Sequence, residues 1–409
     1  MSWEGKKVLI TGIGGFVGSY LARYLIDNGA EVYGLLRRRA DWSIPKNLID
    51  KGIYGKAKLI EGDLQDLSSL AMAIDKSQPD VVFHLAAQSF VPKSFINPIE
   101  TMHINCIGTA NLLEAIRIKD YDPVIIFAGS SEEYGLVISS KQQYNRIRER
   151  GRTVFPEPEK IPELPIKETN PLRPMSPYAV SKVYGDHLFR NYHHSYGMKT
   201  IVSRGFNHEG AGRGKMFVTS IIALQVMQLK FRETDRIKIG NVNAFRDWSH
   251  VMDIVKGYCL LAEKGRYGDV YNQGSMRTNS VLSYILLTLE TAGYNISRIE
   301  TFNEEKRVDY PTEINDSKIF GVKFEKTKVD EMMLNGELEY TVEDRGIYVF
   351  TNKGKIMIEF DPSRFRPAEV PILLSDTAKI QQLGFKTNYK LVDIIKDQVN
   401  YYLDPKRRM

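Results

Sequence analysis

A glycine-rich turn near the start of the chain could hold a phosphate. Residues 12–18 read GIGGFVG, directly after the β-branched run KVLIT and before a segment with helical periodicity. A helix N-terminus offers unpaired N–H groups and the positive end of the helix dipole, and glycines let a pyrophosphate approach that backbone closely. Glycine clusters often form only a turn. The strand before and the amphipathic helix after favour a dinucleotide site here.

Basic residues follow the second predicted strand. Enzymes that prefer NAD typically place Asp or Glu there to bind the ribose hydroxyls, whereas this chain has Arg37, Arg38 and Arg39. The arginines therefore predict NADP, whose 2′-phosphate they would bind, and a solvated basic corner is the alternative. Asp63, at the end of the third predicted strand, could accept a hydrogen bond from the adenine amino group or could only cap a helix.

A tyrosine and a lysine four residues apart could supply a base. Tyr178 and Lys182 lie in SPYAVSK, at i and i+4 of a predicted helix, so that they share one face. An ammonium beside a phenol favours the phenolate and would lower a pKa that is about 10 when unperturbed. Such pairs also arise by chance. The glycine turn, and the run SSEEYG at residues 130–135 after a predicted strand, make chance the lesser explanation.

Alternating strand and helix patterns must position these groups. Five apolar strand-like runs occur in the first 131 residues, with helical segments such as NLLEAIRI between them. Strands buried on both faces need not alternate apolar and polar residues, and repeated βα units imply a parallel sheet covered by helices. The predicted fold class is α/β, with a Rossmann-type doubly wound parallel sheet. The predicted strands are KVLITG, EVYGLL, AKLIEGDL, DVVFHLAA and PVIIFAGSS.

The rest of the chain is less regular. The run from Pro156 to Pro177 holds seven of the 17 prolines and predicts an extended surface loop. Past residue 276 the alternation fades, and GIYVF and KIMIEF flank the turn TNKG as in a β-hairpin. We expect an NADP-binding Rossmann domain of residues 1–204, with 240–275 returning to it, and a smaller mixed α/β C-terminal substrate domain of residues 205–239 and 276–409.

The composition argues against several other classes of protein. The 409 residues are 43% hydrophobic and 26% charged, which is typical of a globular protein. No stretch approaches the ~20 apolar residues of a membrane span. The start MSWEGKKVLITG lacks the apolar region of a signal peptide, so we expect a cytoplasmic protein without a membrane partner.

Metal and nucleic-acid sites are not predicted either. Cys106 and Cys259 cannot build a disulfide framework, and only His103 approaches a ligand spacing, with Cys106. The net charge of +6 comes from dispersed Lys and Arg residues, which suit an anionic small ligand at least as well as nucleic acid.

Ten segments, in order across nearly the whole chain, resemble one family. The pattern is similar to the extended short-chain dehydrogenase/reductases that modify nucleotide sugars, and most similar to their GDP-mannose 4,6-dehydratase branch. The glycine turn is shared by many enzymes, whereas NHE with RGKMFVT, the RDW run and FRPAEV are typical of the GDP-sugar branch. The segments are ITGIGGFVG, RRRADWS, EGDLQDL, HLAAQSFVPKSF, GTANLLEAIR, SSEEYG, SPYAVSK, FNHEGAGRGKMFVT, IGNVNAFRDWSHVMD and FRPAEVPILLSD.

The resemblance implies a cofactor, a substrate and their sites. It implies NADP, a GDP-sugar such as GDP-mannose, and a homodimer or homotetramer. The implied catalytic residues are Ser130, Glu132, Tyr178 and Lys182. The implied cofactor-binding residues are Gly12, Gly15, Phe16, Val17, Gly18, Arg37, Arg38, Asp63, Leu64, Ala86, Tyr178 and Lys182. The implied substrate-binding residues are Ser89, Asn207, Lys215, Val218, Arg246, Arg366 and Glu369.

The implied reaction is a 4,6-dehydration without net redox change. Tyr178, supported by Lys182 and Ser130, would deprotonate the carbon 4 hydroxyl as hydride leaves that carbon for NADP. Glu132 would then remove the carbon 5 proton, the carbon 6 hydroxyl would leave as water, and hydride would return to carbon 6. A keto-sugar reductase or epimerase, and a noncatalytic NADP-binding scaffold, are the alternatives. Glu132 favours dehydration because ketone reduction has no carbon acid to deprotonate.

Departures from the family pattern leave the sugar open between mannose, heptose and another. Ser130 stands where the family usually has Thr, and Glu133 adds a second carboxylate after Glu132. The chain between Gly135 and Tyr178 is longer than the pattern implies, and a second added stretch lies around residues 305–340. We expect the first insertion to act as a lid or a subunit contact that affects the accepted sugar.

Overall fold

The computed structural model describes residues 2–41, 43–365 and 369–408. The strands are, in chain order, β1 Lys7–Thr11, β2 Glu31–Leu36, β3 Lys58–Glu61, β4 Val81–His84, β5 Val124–Ser130, β6 Lys199–Gly205, β7 Asn207–Glu209, β8 Arg236–Ile239, β9 Phe245–Arg246, β10 Trp248–His250, β11 Val270–Gln273, β12 Asn279–Ser280, β13 Ile296–Thr301, β14 Arg307–Asp309, β15 Ile314–Asn315, β16 Lys318–Ile319, β17 Val322–Lys323, β18 Lys326–Thr327, β19 Gly346–Thr351 and β20 Gly354–Phe360.

Helices of very different length connect these strands. A π-helical turn at His103–Ile107 joins α5 to α6, and short 3₁₀ turns lie at Ser131–Glu133, Val342–Asp344 and Pro362–Arg364. The α-helices are α1 Phe16–Asp27, α2 Lys46–Asp50, α3 Leu67–Ser77, α4 Val91–Ile96, α5 Pro98–Met102, α6 Gly108–Ile118, α7 Lys141–Glu149, α8 Pro177–Tyr196, α9 Val218–Lys230, α10 Val251–Lys264, α11 Val281–Thr291, α12 Lys328–Leu334, α13 Ala378–Gln381, α14 Leu391–Tyr401 and α15 Pro405–Arg408.

Seven parallel strands form the larger sheet, in the order β11-β6-β5-β4-β1-β2-β3. The strand order reverses between β1 and β4, because the chain first moves outward through β2 and β3 and then returns to the other side of β1. Ligands of open α/β sheets bind outside the carboxyl ends of the strands at such a switch point. The predicted Rossmann-type doubly wound sheet is confirmed.

The larger sheet is buried on both faces, which explains its continuous apolar strands. Val8 and Ile10 pack with α1 and α10 on one face. Leu9, Val82 and Ile125 pack with α3, α6 and α8 on the other. Successive residues of a strand point to opposite faces, so neighbours such as Val8 and Leu9 enter different cores. These two layers hold the carboxyl ends of the strands in fixed positions.

A smaller sheet of five strands, in the order β14-β13-β19-β20-β8, lies in the C-terminal part of the chain. The predicted hairpin is its β19–β20 pair, in which Thr351 lies opposite Gly354. The pairs β13–β14, β13–β19 and β19–β20 are antiparallel, while β20 and β8 are parallel, so this sheet is mixed as expected. It shares one core with α9, α11 and α14. The domain boundaries given above stay a proposal.

The insertion after Gly135 combines a helix with a long irregular segment. The basic helix α7 was not predicted, and the Oγ of Ser140 caps it by accepting the N–H of Gln143 at 3.1 Å. The proline-rich run that follows is irregular, as predicted. A buried ion pair holds this segment in place. The guanidinium of Arg173 pairs with the Glu163 carboxylate at 2.7 Å, and both side chains are buried.

Within residues 2–41, 43–365 and 369–408, no helix is both long enough and apolar enough to cross a bilayer.

Candidate functional site

A large cleft opens at the carboxyl ends of the central parallel strands. Its volume is about 1310 Å³. All twelve residues predicted to bind the cofactor line it, together with Ser89 and Lys215 from the predicted substrate set. Their roles stay predictions, but the fold brings them to one place.

The glycine turn in the cleft wall fits a diphosphate. Gly12 has φ +76°, and a Cβ built on it would lie 2.9 Å from the backbone of Ala86. A Cβ on Gly18 would lie 2.3 Å from the Gly12 carbonyl oxygen, so α1 can start this close to β1 only with glycine there. Gly15 is the N-cap of α1 and has no side chain to bond the first N–H groups. Those donors therefore suit an anionic ligand.

The arginine run and Asp63 belong to the wall of the same cleft. Arg37, Arg38 and Arg39 are exposed and line the cleft just past β2. The alternative in which Asp63 only caps a helix is wrong, because Asp66 caps α3 by accepting the N–H groups of Ser68 and Ser69. Asp63 instead accepts the Gln65 N–H at 2.9 Å and keeps its place in the cleft wall.

Helix α8 carries the predicted catalytic pair. Ser176 caps it by accepting the Ala179 N–H at 3.1 Å, and Pro177 occupies the first helical position, where its missing N–H costs nothing. Tyr178 and Lys182 are 9% and 5% exposed. The Nζ of Lys182 donates to the Ala128 carbonyl at 2.7 Å and lies 5.9 Å from the centre of the Tyr178 ring.

The predicted lowering of the Tyr178 pKa is wrong in direction. Burial raises the pKa of Tyr178 above its ordinary value, because the phenolate would lose its hydration. The Ser130 hydroxyl, which hydrogen-bonds to the phenol, and Arg213 act in the opposite direction. Burial also lowers the pKa of Lys182 to about 8. The ammonium faces a backbone carbonyl, so spacing on the helix alone overestimates its influence on the phenol.

Ser130 and Glu132 lie beside the cleft, at the end of β5. The Oγ of Ser130 accepts the Glu132 N–H at 3.2 Å and starts the 3₁₀ turn. The negative charge of half-buried Glu132 raises the pKa of Tyr178, so this carboxylate is close enough to act on the phenol. The structure thus brings the four predicted catalytic residues together.

Four predicted substrate residues that the structure describes are not among those that line the cleft, namely Asn207, Val218, Arg246 and Glu369. Arg246 donates to a Glu369 carboxylate oxygen and to the Val370 carbonyl, both at 2.7 Å, so two predicted residues 123 positions apart meet. The Oδ1 of Asn207 is buried without a hydrogen bond from any described residue, and Val218 begins α9. Arg366 lies outside the described residues.

Asp247 fixes the backbone beside this ion pair and was missed in the sequence. Its carboxylate accepts hydrogen bonds from the backbone N–H and the hydroxyl of both Ser275 and Ser375. Three separate segments are therefore joined next to Arg246. Asp247 lies in the RDW run, which the resemblance had singled out. The sequence alone, however, does not show whether an aspartate is buried and accepts hydrogen bonds or is exposed to solvent.

Arg213 is a further cleft residue that the sequence analysis missed. Its guanidinium lies 3.6 Å from the centre of the Phe217 ring and 5.2 Å from that of Phe16, and its Nε is 3.5 Å from a Glu209 oxygen. The arginine therefore connects the loop after β7 to the start of α1. The segment RGKMFVT contained it, and a cation between two glycines near the predicted substrate residues was the available signal.

A profile of the NAD dependent epimerase/dehydratase family matches residues 8–274. This span covers well over half of the chain and runs from β1 to β11, the first and last strands of the larger sheet. The chain belongs to this family.

Individual relatives indicate which branch of the family this chain resembles. The chain is 31% identical to the GDP-mannose 4,6-dehydratase of Yersinia enterocolitica, over 96% of this chain and 93% of that relative. The predicted resemblance to the GDP-mannose 4,6-dehydratase branch, and the prediction of an enzyme of the extended short-chain dehydrogenase/reductase type, are confirmed.

Solved structures share the fold at lower identity. RMD from Pseudomonas aeruginosa, complexed with NADPH, matches with a TM-score of 0.65 and 22% identity, over 97% of this chain and 98% of that chain. UDP-glucose 4-epimerase from Bifidobacterium longum, in complex with NAD⁺ and UDP, matches with a TM-score of 0.69 and 21% identity, over 98% and 99% of the two chains. At these identities the likeness concerns the fold alone.

Proposed function

We propose that this enzyme is a nucleotide-sugar 4,6-dehydratase that uses NADP and converts GDP-mannose, or a close GDP-sugar, to the 4-keto-6-deoxy sugar. One observation carries the proposal: a carboxylate, Glu132, lies beside a buried Tyr178 that Ser130 holds by its phenol. A dehydration needs one group for a hydroxyl proton and another for a carbon acid. The naming of its relatives as GDP-mannose 4,6-dehydratases supports the substrate class.

The donor set of the cleft supports NADP as the cofactor. The first N–H groups of α1 suit a diphosphate, and Arg37 and Arg38 suit an additional phosphate on the ribose. The NADPH bound to RMD from Pseudomonas aeruginosa also supports this assignment. When bound, NADP supplies a hydride acceptor for carbon 4 and a hydride donor for carbon 6.

The side chains of this enzyme move the protons. Tyr178 accepts the proton of the carbon 4 hydroxyl in its phenolate form, which the hydrogen bond from Ser130 and the charge of Arg213 favour against the effect of burial. Lys182 fixes the strand end through Ala128, and its charge lies near the ring of Tyr178. Glu132 takes the carbon 5 proton, which the new ketone has acidified, and gives it to the leaving hydroxyl as water forms. As hydride reaches carbon 6, carbon 5 takes up a proton again, which balances the proton that Tyr178 removed from the carbon 4 hydroxyl. The burial of Tyr178 and Lys182 keeps water out of these steps.

Alanine at both Arg37 and Arg38 is expected to weaken NADP binding far more than NAD binding. Hydrogen bonds to charged groups contribute about 1.5–3 kcal/mol each, so the Kd for NADP should rise at least about tenfold. Isothermal titration of the double variant with both cofactors measures the difference, and NAD serves as the internal control. Equal losses for the two cofactors would remove the basis for NADP preference.

The insertion is expected to govern sugar selectivity or subunit state, since its arginines and prolines supply no acid–base pair. The Glu163 N–H donates to the Ile138 carbonyl at 2.8 Å, so a short glycine linker can replace residues 139–162 without moving the ends. The shortened enzyme should bind NADP as before but differ in relative activity on GDP-sugars or in mass by light scattering. If neither property changes, the segment is a surface loop that affects neither sugar selectivity nor assembly.

The proposed reaction is tested by incubating the purified enzyme with GDP-mannose and no added reductant. A product lighter by one water, with a methyl signal from carbon 6 in its proton spectrum, supports the dehydratase. A reductase acts only when NADPH is supplied in stoichiometric amount, and a noncatalytic scaffold gives no product. The homodimer or homotetramer and the cytoplasmic location stay predictions.

A further inference from the structure

A buried ionic cluster lies directly behind the proposed catalytic residues, and the proposed mechanism does not use it. Its members are Glu133 on the turn after β5, Asp186 on α8 and Arg204 on β6. The side chains of Glu133 and Asp186 are fully buried, and that of Arg204 is 4% exposed. Burying charges is costly unless they are paired and hydrogen-bonded, so the contacts of this cluster indicate what it holds in place.

The two oxygens of Glu133 have different partners. Oε1 accepts the backbone N–H of Ser130 at 2.7 Å. Oε2 accepts no hydrogen bond from the described residues and lies 3.3 Å from the Nε of Arg204. A Cβ built on Gly129 would lie 2.7 Å from Oε1, so glycine at this position makes room for the carboxylate. Glu133 thus connects the Ser130 turn to the next strand.

Arg204, on β6, extends the connection to three other elements. Its Nε donates to an Asp186 oxygen at 2.9 Å, and its Nη1 donates to the Tyr134 hydroxyl and to the Glu168 carbonyl, both at 3.0 Å. The Tyr134 hydroxyl in turn donates to Oδ1 of Asn272 on β11 at 2.6 Å. The Ser130 turn is therefore linked, through Glu133, Arg204 and Tyr134, to α8, β6, β11 and the insertion.

The charge of Glu133 is also coupled to that of Lys182. Burial and the Asp186 carboxylate raise the pKa of Glu133, whereas Arg204, the Ser130 N–H and Lys182 favour its charged form. In return, Glu133 and Cys106 raise the pKa of Lys182 against the effect of burial. Tyr178 and Tyr134 also face Glu133, which raises the pKa of each phenol. In its ionised form, which Arg204 favours, Glu133 therefore helps to keep Lys182 protonated.

We propose that Glu133 is a positioning residue, which accepts the Ser130 N–H, pairs with Arg204 and so holds the Ser130 turn against β6. The two adjacent glutamates then have separate tasks. Glu132 lies beside the cleft and exchanges a proton, while Glu133 points into the core and fixes the geometry. This inference rests on the proposed dehydratase function.

Glu133→Gln is the direct test, because glutamine keeps the size of the side chain and an acceptor for Ser130 but loses the charge. We expect kcat for GDP-mannose to fall about 10- to 100-fold, since misplacing a catalytic group by about 1 Å costs on that order, with KM little changed. The alkaline limb of the kcat–pH profile should move to lower pH, because Lys182 loses a charge that raises its pKa. A purely stabilising role would leave this limb in place.

Asp344→Asn is the matched control. Asp344 is also a buried carboxylate, accepts the Thr341 N–H at 2.7 Å and pairs with Lys306, but it precedes β19 of the smaller sheet. We expect Asp344→Asn to lower the melting temperature and to leave the pH profile unchanged. If Glu133→Gln has the wild-type kcat and pH profile, or differs from wild type only in melting temperature, the positioning role is wrong.

Two further measurements test the role of Glu133 if the proposed function fails or if Glu133→Gln does not fold. NADP binding is measured against pH without substrate, and in Glu133→Gln it should weaken at a lower pH than in the wild type. If the wild type binds NADP but leaves GDP-mannose unchanged, the proposed function fails while the shift in binding still tests Glu133. If Glu133→Gln does not fold, Glu133→Asp replaces it: a reduced kcat with an unmoved alkaline limb supports the role, and an unreduced kcat contradicts it.

Discussion

Glu132→Gln is expected to stop elimination while leaving oxidation at carbon 4 intact. Glutamine keeps the size of the side chain, but its amide cannot accept the carbon 5 proton at neutral pH. Removing a positioned general base typically costs about 100- to 10,000-fold in rate. Stopped-flow absorbance should therefore show reduced cofactor accumulating after GDP-mannose is added, with little 4-keto-6-deoxy product.

The adjacent glutamate supplies a control for this result. Glu133 is fully buried and bonded to Ser130, so Glu133→Gln should slow both halves of the reaction without separating them. Accumulated reduced cofactor is thus expected only in Glu132→Gln. If Glu132→Gln forms product at the wild-type rate, Glu132 is not the carbon-acid base, and another group removes the carbon 5 proton.

Tyr178→Phe is expected to remove the first step instead. Phenylalanine fills the same buried space, but the proton of the carbon 4 hydroxyl loses its acceptor and Ser130 loses its partner. We expect a loss of about 100- to 10,000-fold in rate, with no reduced cofactor detectable after GDP-mannose is added. Rapid-mixing absorbance measures this on the same time scale as for Glu132→Gln.

Tyr184→Phe is the matched control, because Tyr184 lies on the same helix and is 39% exposed. It should retain wild-type turnover. A Tyr178→Phe variant that still reduces the cofactor at the wild-type rate would assign the proton transfer to another group.

The parts of this site that the sequence predicted are those fixed by local geometry. The glycine turn was recognisable because Gly12 needs a positive φ and Gly18 needs close backbone contact, and both demands leave one residue type. The parallel sheet was recognisable because strands buried on both faces stay apolar at every position. The placement of Tyr178 and Lys182 on one helix followed from their spacing.

The parts that the sequence did not predict depend on distant contacts. The direction of the Tyr178 pKa shift is set by burial among several elements, and local spacing contains no measure of burial. Only the family resemblance assigned Arg246 and Glu369 to one site, and their ion pair was not predicted, since no local rule joins residues so far apart. Tyr401 and Tyr402 line the cleft because α14 packs back on the fold, and nothing in their own segment indicates this.

The central claim is that hydrogen moves within one sugar from carbon 4 to carbon 6. It is tested most directly with GDP-mannose that carries deuterium at carbon 4, incubated with the wild-type enzyme and no added reductant. The account predicts a product that has lost one water and retains the deuterium in its carbon 6 methyl group, as read by mass and NMR spectra. A product without deuterium at carbon 6, or unchanged substrate in the presence of bound NADP, would contradict it.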